Sequence, residues 1–440
     1  MHLGLFVQAA GHHVAGWRMP GAQAGGENLP LLLEIARLAE DAKFDMLFLA
    51  DAPFTRADFH PATIVRFEPL TLLTALSMVT THIGLVGTAS TTYTEPFNLA
   101  RQFGTLDHIS GGRSGWNIVT GAQPGAAANF GNTPHPPHDE RYAIAIEYVK
   151  VAKGLWDSWE DGAIVKDVAS GKYIDTTKMH ALNHKGEHFS VSGPMNLSRP
   201  PQGYPIMVQA GASDAGRAFA SSVAEVIYSV QQDLEAAKSF AQDIRRGAEK
   251  IGRNPRHVKI MPGVCPIVGT SYKDAKAKLT SLCSMMDPKA ALRILSDRLG
   301  HDLSSYPLDG PVPDLPPSGI MQAHAVTLKK LARDQTMNLR DLRDYAASAQ
   351  GHRLLLGSAE DIADGLEEWF AADAADGFNI MPPWFPDAFR DFTEQVVPVL
   401  QKRGLFRTEY SGRMLRDHLG LPRPPHPVEA KKAASYPAAS

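Results

Sequence analysis

Cysteine is nearly absent, with Cys265 and Cys283 the only two in 440 residues. Two thiols build neither a disulfide framework nor a cysteine metal cluster, and their scarcity suits a reducing compartment, so both read as core filler. No uncharged apolar run reaches the roughly 18 residues of a membrane-spanning helix. The opening Met1-His2-Leu3-Gly4-Leu5-Phe6-Val7 enters an alternating pattern with no charged segment ahead of an apolar stretch. A secretory signal is therefore not expected, and the cytoplasm follows by elimination. Neither sign of charge dominates: 44 Lys+Arg against 47 Asp+Glu leave a formal net charge of −3. Such a chain has no overall basic field to hold nucleic acid or an anionic membrane.

Several motifs are missing too. There is no Gly-x-x-x-x-Gly-Lys-Ser/Thr loop for a nucleoside triphosphate and no Gly-x-Gly-x-x-Gly turn after a strand for a dinucleotide. The 17 histidines include no His-Glu-x-x-His helix, and His12-His13 are adjacent, so their side chains diverge; no metal site is expected.

What is present is globular: 44% hydrophobic and 21% charged residues. Short apolar β-rich runs at 3–8, 46–50, 83–88, 114–119, 206–210, 225–230, 259–268 and 377–380 alternate with stretches of helical period at 29–42, 68–80, 98–109, 213–223, 234–251 and 358–375. Eight such strands with helices between them predict one α/β domain over 1–420, a TIM (β/α)₈ barrel. Two insertions interrupt the repeat and are expected at the C-terminal face. One, about 121–205, holds a helix at 139–159 and an extended or hairpin excursion at 178–192; the other, about 273–357, holds a Pro-rich run at 307–317 and reads as a lid. The Pro/Ala/Lys/Ser-rich segment 421–440 is expected to be a flexible arm.

Polar residues gather where the expected strands end. Asp51 follows Phe48-Leu49-Ala50, Thr88 ends the third strand, Asn117 and Thr120 lie on or just after the fourth, and Gln209-Ala210-Gly211-Ala212-Ser213 leads from the fifth into a helix. In a TIM barrel these ends form the mouth, where active sites sit. Asp51, after four apolar residues, needs a partner to offset burial. Around Ser213, small residues let backbone N–H groups approach an anion and the helix N-terminus adds partial positive charge. That describes a phosphate cradle, and equally an ordinary capped loop. His138 and Tyr142 stand one helical turn apart, spaced either to share a ligand or to cap and pack. Phe6, Trp17, Phe54 and Phe59 read as pocket walls or packing, with Arg18 and Arg56 as possible partners of a carboxylate.

These segments, taken in order, resemble the nitrilotriacetate monooxygenase/dibenzothiophene-sulfone monooxygenase branch of the bacterial-luciferase-like flavoproteins. The likeness runs through His13-Val14-Ala15-Gly16-Trp17-Arg18, Lys43-Phe44-Asp45-Met46-Leu47-Phe48-Leu49-Ala50-Asp51, Thr105-Leu106-Asp107-His108-Ile109-Ser110-Gly111-Gly112-Arg113 and Trp116-Asn117-Ile118-Val119-Thr120. It continues through Asn129-Phe130-Gly131, His138-x-x-Arg141-Tyr142, Gln209-Ala210-Gly211-x-Ser213, Ala375-Asp376-Gly377-Phe378 and Arg407-Thr408-Glu409-Tyr410. Relatives often carry Ser where this chain has Gly115 and Gly121. The resemblance implies a two-component monooxygenase that uses reduced FMN (FMNH2) and O2 to oxidise a small organic substrate, with C–S or C–N bond cleavage. It implies FMN across the barrel mouth at Asp51, Thr88, His138, Tyr142 and Ser213, with Asn117 nearby. It further implies a separate NAD(P)H:flavin reductase and a homodimer or homotetramer. His12, His13 or His138 is expected to give a hydrogen bond or proton to the reacting centre, with His324 in the lid a further candidate. Rival readings are oxidation or dehalogenation of an aromatic compound, a light-emitting or purely flavin-binding role, a deazaflavin-dependent dehydrogenase on the same barrel, and a non-enzymatic scaffold.

Overall fold

The computed structural model describes residues 1–430 except 24, 122–123, 132–133, 212 and 317–321. The expected strands form: β1 (His2–Phe6), β2 (Met46–Leu49), β3 (Gly84–Ser90), β4 (Ser114–Val119), β5 (Ile206–Gln209), β6 (Val226–Ser229), β7 (Lys259–Val268) and β8 (Gly377–Ile380). All pair in parallel in the order β6-β5-β4-β3-β2-β1-β8-β7, and a further β6–β7 pairing, Val226 to Ser229 against Lys259 to Pro262, closes the ring. The chain is a TIM barrel.

Both faces of this ring are buried. Inside, Phe6, Met46, Phe48, Val86, Ile206, Val208, Tyr228 and Met261 fill the barrel, with the Phe6 ring edge-on to Phe48 at 5.1 Å and to Tyr228 at 5.5 Å. Outside, Leu3, Leu5, Leu47, Leu85 and Trp116 pack beneath the helices. These are α1 (Leu29–Asp41), α2 (Pro69–Ser77), α3 (Pro96–Ser110), α4 (His138–Trp156), α5 (Asp214–Val223) and α6 (Leu234–Lys250). After β7 come α7 (Tyr272–Ser284), α8 (Pro288–Leu299), α9 (Gln322–Asp334), α10 (Leu339–Ala349) and α11 (Ala359–Ala371). Their starts are set locally: proline opens α2, α3 and α8, where its missing N–H costs nothing, and Ser213, Asp233, Ser271, Asn338 and Ser358 cap α5, α6, α7, α10 and α11.

The motif 105–113 is structural. Asp107 is buried and accepts from Ser114 N (3.2 Å) and Oγ (2.8 Å) and from Gln202 N (3.1 Å) and Nε2 (2.6 Å). Arg113 donates to Ser110 O, Thr80 Oγ1, Ile83 O, Ser77 O and Thr80 O, binding α2 and α3 to the barrel.

The insertion 121–205 carries two small hairpins, Ile164–Asp167 with Lys172–Ile174 and His184–Lys185 with Ser190–Val191. The second falls inside the expected excursion. The insertion 273–357 has its own apolar centre around Leu295, Leu299, Leu328, Leu339 and Leu342, and it ends in a strand, Arg353–Gly357, that was not expected. That strand pairs with Val264 to Val268, the half of β7 that overruns the ring.

The expectation of a flexible arm from 421 needs correction over its described part. Leu415, Leu419 and Leu421 join the interior cluster, so the short helix Leu415–Leu419 plugs the N-terminal end of the barrel. A Cβ on Gly84 would lie 2.5 Å from Leu415 Cδ1, so the glycine makes room for the plug. Arg416 anchors it through Gln202 O (3.0 Å), Tyr204 O (3.0 Å) and Glu225 (2.6 Å). Beyond it, Arg423 pairs with Asp161 (2.6 Å), Pro424 O accepts from Arg199 (2.9 Å), and buried His426 bonds Asp157 O (2.9 Å). Hydrogen bonds, rather than apolar burial, hold this segment. Residues 431–440 lie outside the described residues.

Two outcomes follow. Leu415 is 0% exposed, so Leu415→Ala should cost about 3 kcal/mol through lost transfer and an unfilled space, measured as a lower urea midpoint. Asp45, fully buried before β2, accepts from Leu3 N (2.7 Å) and pairs with His2 (2.9 Å) and Arg407. Burial works to raise its carboxyl, but the His2 and Arg407 charges outweigh that and hold it below its ordinary value. A depressed carboxylate gives stability that is present above the unfolded value near 4 and lost as pH falls through the folded value. Asp45→Asn should therefore destabilise at about pH 7 and fall closer to the parent at about pH 3; a pH-independent gap would refute an ionic contribution.

Candidate active site

Above the C-terminal ends of the strands lie three adjoining lobes with shared walls. The first, about 280 Å³, is lined by Asp51, Pro53, Phe54, Ser90, Tyr93, Thr120, Gly121, Tyr142, Gln209 and Gly211. The inner lobe, about 300 Å³, reaches down to Phe6 and Tyr228 and is walled by Gln8, Phe59, His60, Arg66, Arg298, Gln350 and His352. The outer lobe, about 740 Å³, opens between Phe54, Arg56, Phe59 and the α8 side, Arg293, Asp297 and His301. Ala52 is common to the first and inner lobes, Phe54 to the first and outer, and Phe59 and Asp297 to the inner and outer. The insertion 273–357 thus supplies one wall of the crater.

At one end of the first lobe, the chain brings together residues of two helices far apart in sequence, α4 and α5. Ser213 caps α5, its Oγ accepting from Gly216 N (3.1 Å) and standing 3.5 Å from His138 Nε2. Tyr142, one turn along α4, packs its ring 5.0 Å from that of His138. A Cβ added to Gly211 would meet the Tyr142 hydroxyl at 3.0 Å, and one on Gly216 would meet it at 2.9 Å. Glycine at both positions therefore lets the phenol, the hydroxyl and the first N–H groups of α5 crowd one spot. Hydroxyls, an imidazole and a helix N-terminus with its partial positive charge form a donor set for a phosphate. Gly211 N is turned inward to Gln209 Oε1 at 2.6 Å, which stiffens the turn.

At the other end sits Asp51, 3.9 Å from Arg66. Burial raises its carboxyl above the ordinary value, and the Arg66 charge offsets that only in part. Thr88 and Asn117 are buried side by side one layer beneath Ser90 and Val119, which line the lobe. Asn117 Nδ2 donates to Thr88 Oγ1 at 2.7 Å, while Asn117 Oδ1 is buried with no hydrogen-bond partner among the described residues. An orphaned acceptor costs free energy unless a donor arrives, so this amide is placed for a ligand N–H or a bound water. The donor cradle and the orphaned acceptor fit a phosphorylated flavin.

The other expected site residues separate. Phe6 lines the inner lobe, and Phe54 lines the first and outer lobes with its ring 5.1 Å from Phe59. His12 and His13 are fully buried behind the wall: His12 Nε2 donates to Phe6 O (2.9 Å), and His13 Nδ1 accepts from Ala15 N (3.0 Å). Burial pushes both down to about 3, so both are neutral near pH 7. Trp17 is 47% exposed, and Arg18 bonds Met285 O; neither lines the three lobes. Arg56 pairs with Asp58 (3.0 Å) and Asp297 (3.1 Å), and Arg293 bridges the same two carboxylates. His324 belongs to α9, and its side chain lies outside the described residues.

Sequence reasoning passed over Tyr93, His60, Arg66, Arg298, Gln350 and His352, all of which line the lobes. His60 Nδ1 accepts from Ala62 N (3.0 Å), and burial pushes the ring down to about 4. Tyr228 Oη and His352 Nε2 lie 2.8 Å apart. The available signal was the run Phe59-His60-Pro61, an imidazole ahead of a helix-opening proline beside the second strand end. Among the described residues no group of three or more His, Cys, Asp and Glu gathers to hold a metal, and no helix is long and apolar enough to cross a membrane.

The model of the luciferase-like monooxygenase family matches residues 1–376. N-acetyl-S-(2-succino)cysteine monooxygenase of Bacillus subtilis (strain 168) is 47% identical over 426 residues, covering 96% of this chain and 97% of its own. Nitrilotriacetate monooxygenase component A of Aminobacter aminovorans is 44% identical over 443 residues, covering 97% and 98%. Among solved structures, riboflavin lyase with modified FMN and riboflavin superposes with a TM-score of 0.87 at 31% identity, covering 98% of this chain and 99% of that one. With a flavin-fitting mouth on the matching barrel, the chain belongs to the luciferase-like monooxygenase family and is a flavin-dependent monooxygenase.

Proposed function

We propose that the chain inserts one atom of O2 into a small organic substrate with reduced FMN delivered by a separate NAD(P)H:flavin reductase, breaking a C–S or C–N bond. The observation that carries this reading is the meeting of Ser213, His138, Tyr142 and Gly211 at the start of α5. Reduced flavin, when bound, supplies the electrons that activate O2. Ser213 Oγ, His138 Nε2, Tyr142 Oη and the N–H groups of α5 hold its phosphate. Asp51 and the Thr88–Asn117 pair set the depth and tilt of the rest, and Phe54 with the α8 wall excludes water. His138 rather than His12 or His13 is the imidazole within reach of the ligand.

The inner and outer lobes receive the substrate. Phe6, Phe54 and Phe59 give apolar surface, and Arg66 and Arg298 give donors for a carboxylate. Nitrilotriacetate and N-acetyl-S-(2-succino)cysteine, for which the two relatives are named, each combine carboxylates with a C–N or C–S bond. The word component in the second name and the missing dinucleotide fingerprint both favour a reductase partner. The working form is a cytoplasmic homodimer or homotetramer, and a concentration-independent monomer in sedimentation would refute that assembly.

Purified protein with a flavin reductase, NADH, FMN and O2 should convert a carboxylate-bearing thioether or amine, seen by mass spectrometry as a gain of one oxygen atom or loss of a fragment. Turnover without O2 on a deazaflavin would favour the dehydrogenase instead. Ser213→Ala should weaken FMN binding roughly tenfold, the cost of a charge-assisted hydrogen bond. Ser213→Asp keeps a capping oxygen but sets a negative charge against the phosphate, so it should bind more weakly than Ser213→Ala while melting closer to the parent. Equal affinities in fluorescence titration would remove the phosphate from this end. Should His138→Ala retain full turnover and FMN affinity, its role is packing alone.

A further inference from the structure

Tyr93 lies just beyond β3, where its buried ring stacks on Phe130 at 5.1 Å and lines the first lobe. Its hydroxyl is 2.7 Å from His135 Nδ1. The other nitrogen of that ring, Nε2, is 2.5 Å from Arg141 Nη1, which also donates to Pro136 O at 3.0 Å. A guanidinium donates and never accepts, so Nε2 must present its lone pair and the proton of the neutral ring must sit on Nδ1. Burial and the Arg141 charge lower the basicity of His135 and outweigh the opposing hydrogen bond between the ring and the Gly121 backbone, which favours that neutral form. Nδ1–H then donates to Tyr93 Oη, and the phenol proton has to leave in another direction. Among the described residues Tyr93 makes no second hydrogen bond. The first lobe, which Tyr93 lines, lies open to it.

We propose that Tyr93 is a one-way hydrogen-bond donor to an acceptor atom of the bound flavin, its direction fixed by Arg141 through the tautomer of His135. The inference rests on the flavin reading of that lobe. It also gives a local job to Arg141, the buried residue of the His138-x-x-Arg141-Tyr142 motif whose neighbours face the phosphate. Tyr93 touches the ligand; His135 and Arg141 are positioning residues.

Full-length protein is titrated with oxidised FMN, following flavin fluorescence for Kd and the visible absorption band for hydrogen bonding to the ring. Tyr93→Phe keeps the stacked ring and should raise Kd about fivefold, the worth of one hydrogen bond, while moving the band. His135→Phe should produce a similar loss, and the double variant should lose no more than either single one, because the two act as a unit. His135→Gln, whose amide offers one acceptor and one donor, should recover most of the affinity. Parental Kd and band position in Tyr93→Phe, or losses that simply add, would overturn the proposal while leaving the flavin reading intact. No saturable FMN binding by the parent protein would overturn both.

Discussion

A ring of parallel strands buries both of its faces, and that constraint decides where chemistry can occur. Helices cover the outer face over Leu3, Leu47, Leu85 and Trp116, and interlocked side chains fill the inner one. With Leu415 seated in the N-terminal end, only the C-terminal strand ends remain where a polar group can be both held rigidly and reached by a ligand. Asp51, Thr88, Asn117 and Gln209 converge because each ends, lies on or follows a different strand of one closed ring. Moving any strand by one residue would turn these groups outward and put apolar ones in their place.

Within that frame the proposed phosphate cradle depends on what is missing. Two glycines, 211 and 216, leave the Tyr142 hydroxyl close enough that a methyl group at either would touch it at about 3 Å. The approach brings a phenol, a serine hydroxyl and an imidazole to one helix end, with the imidazole held by Asp139 on its far nitrogen. Donors held in advance in this way bind an anion without the entropic cost of gathering them.

Much of this was legible in the sequence, for identifiable reasons. Strands buried on both faces appear as short apolar runs, so all eight could be read, and the order of polar residues after them pointed to the mouth. Arg353–Gly357 escaped because it is half-buried, pairs with the overrun of β7 among the described residues, and lies inside a stretch that reads as an insertion. The 421–430 segment was misread because composition reports apolar burial, whereas Arg423, Pro424 and His426 are held by directional bonds to Asp157, Asp161 and Arg199. The Tyr93–His135–Arg141 chain spans 42 residues between its first two members and belongs to no local pattern. Only the fold could join it.

Histidines show most clearly why residue type alone undetermines a site. His12, His13 and His60 are drawn down to about 3, 3 and 4 by burial, each with a backbone hydrogen bond on one nitrogen. A ring so placed can neither deliver nor take up a proton near neutral pH without the cost of charging it in an apolar wall. His138 differs in its surroundings rather than its chemistry. Its side chain is 47% exposed, with Asp139 at 2.9 Å on Nδ1 and Nε2 turned to Ser213, so it faces solvent and the α5 cap rather than an apolar wall. Burial thus separates imidazoles enclosed in or behind the crater wall from His138, which faces solvent and Ser213. His135 forms a third kind: its protonation is fixed by a neighbour that cannot accept, so it controls direction without exchanging a proton at all.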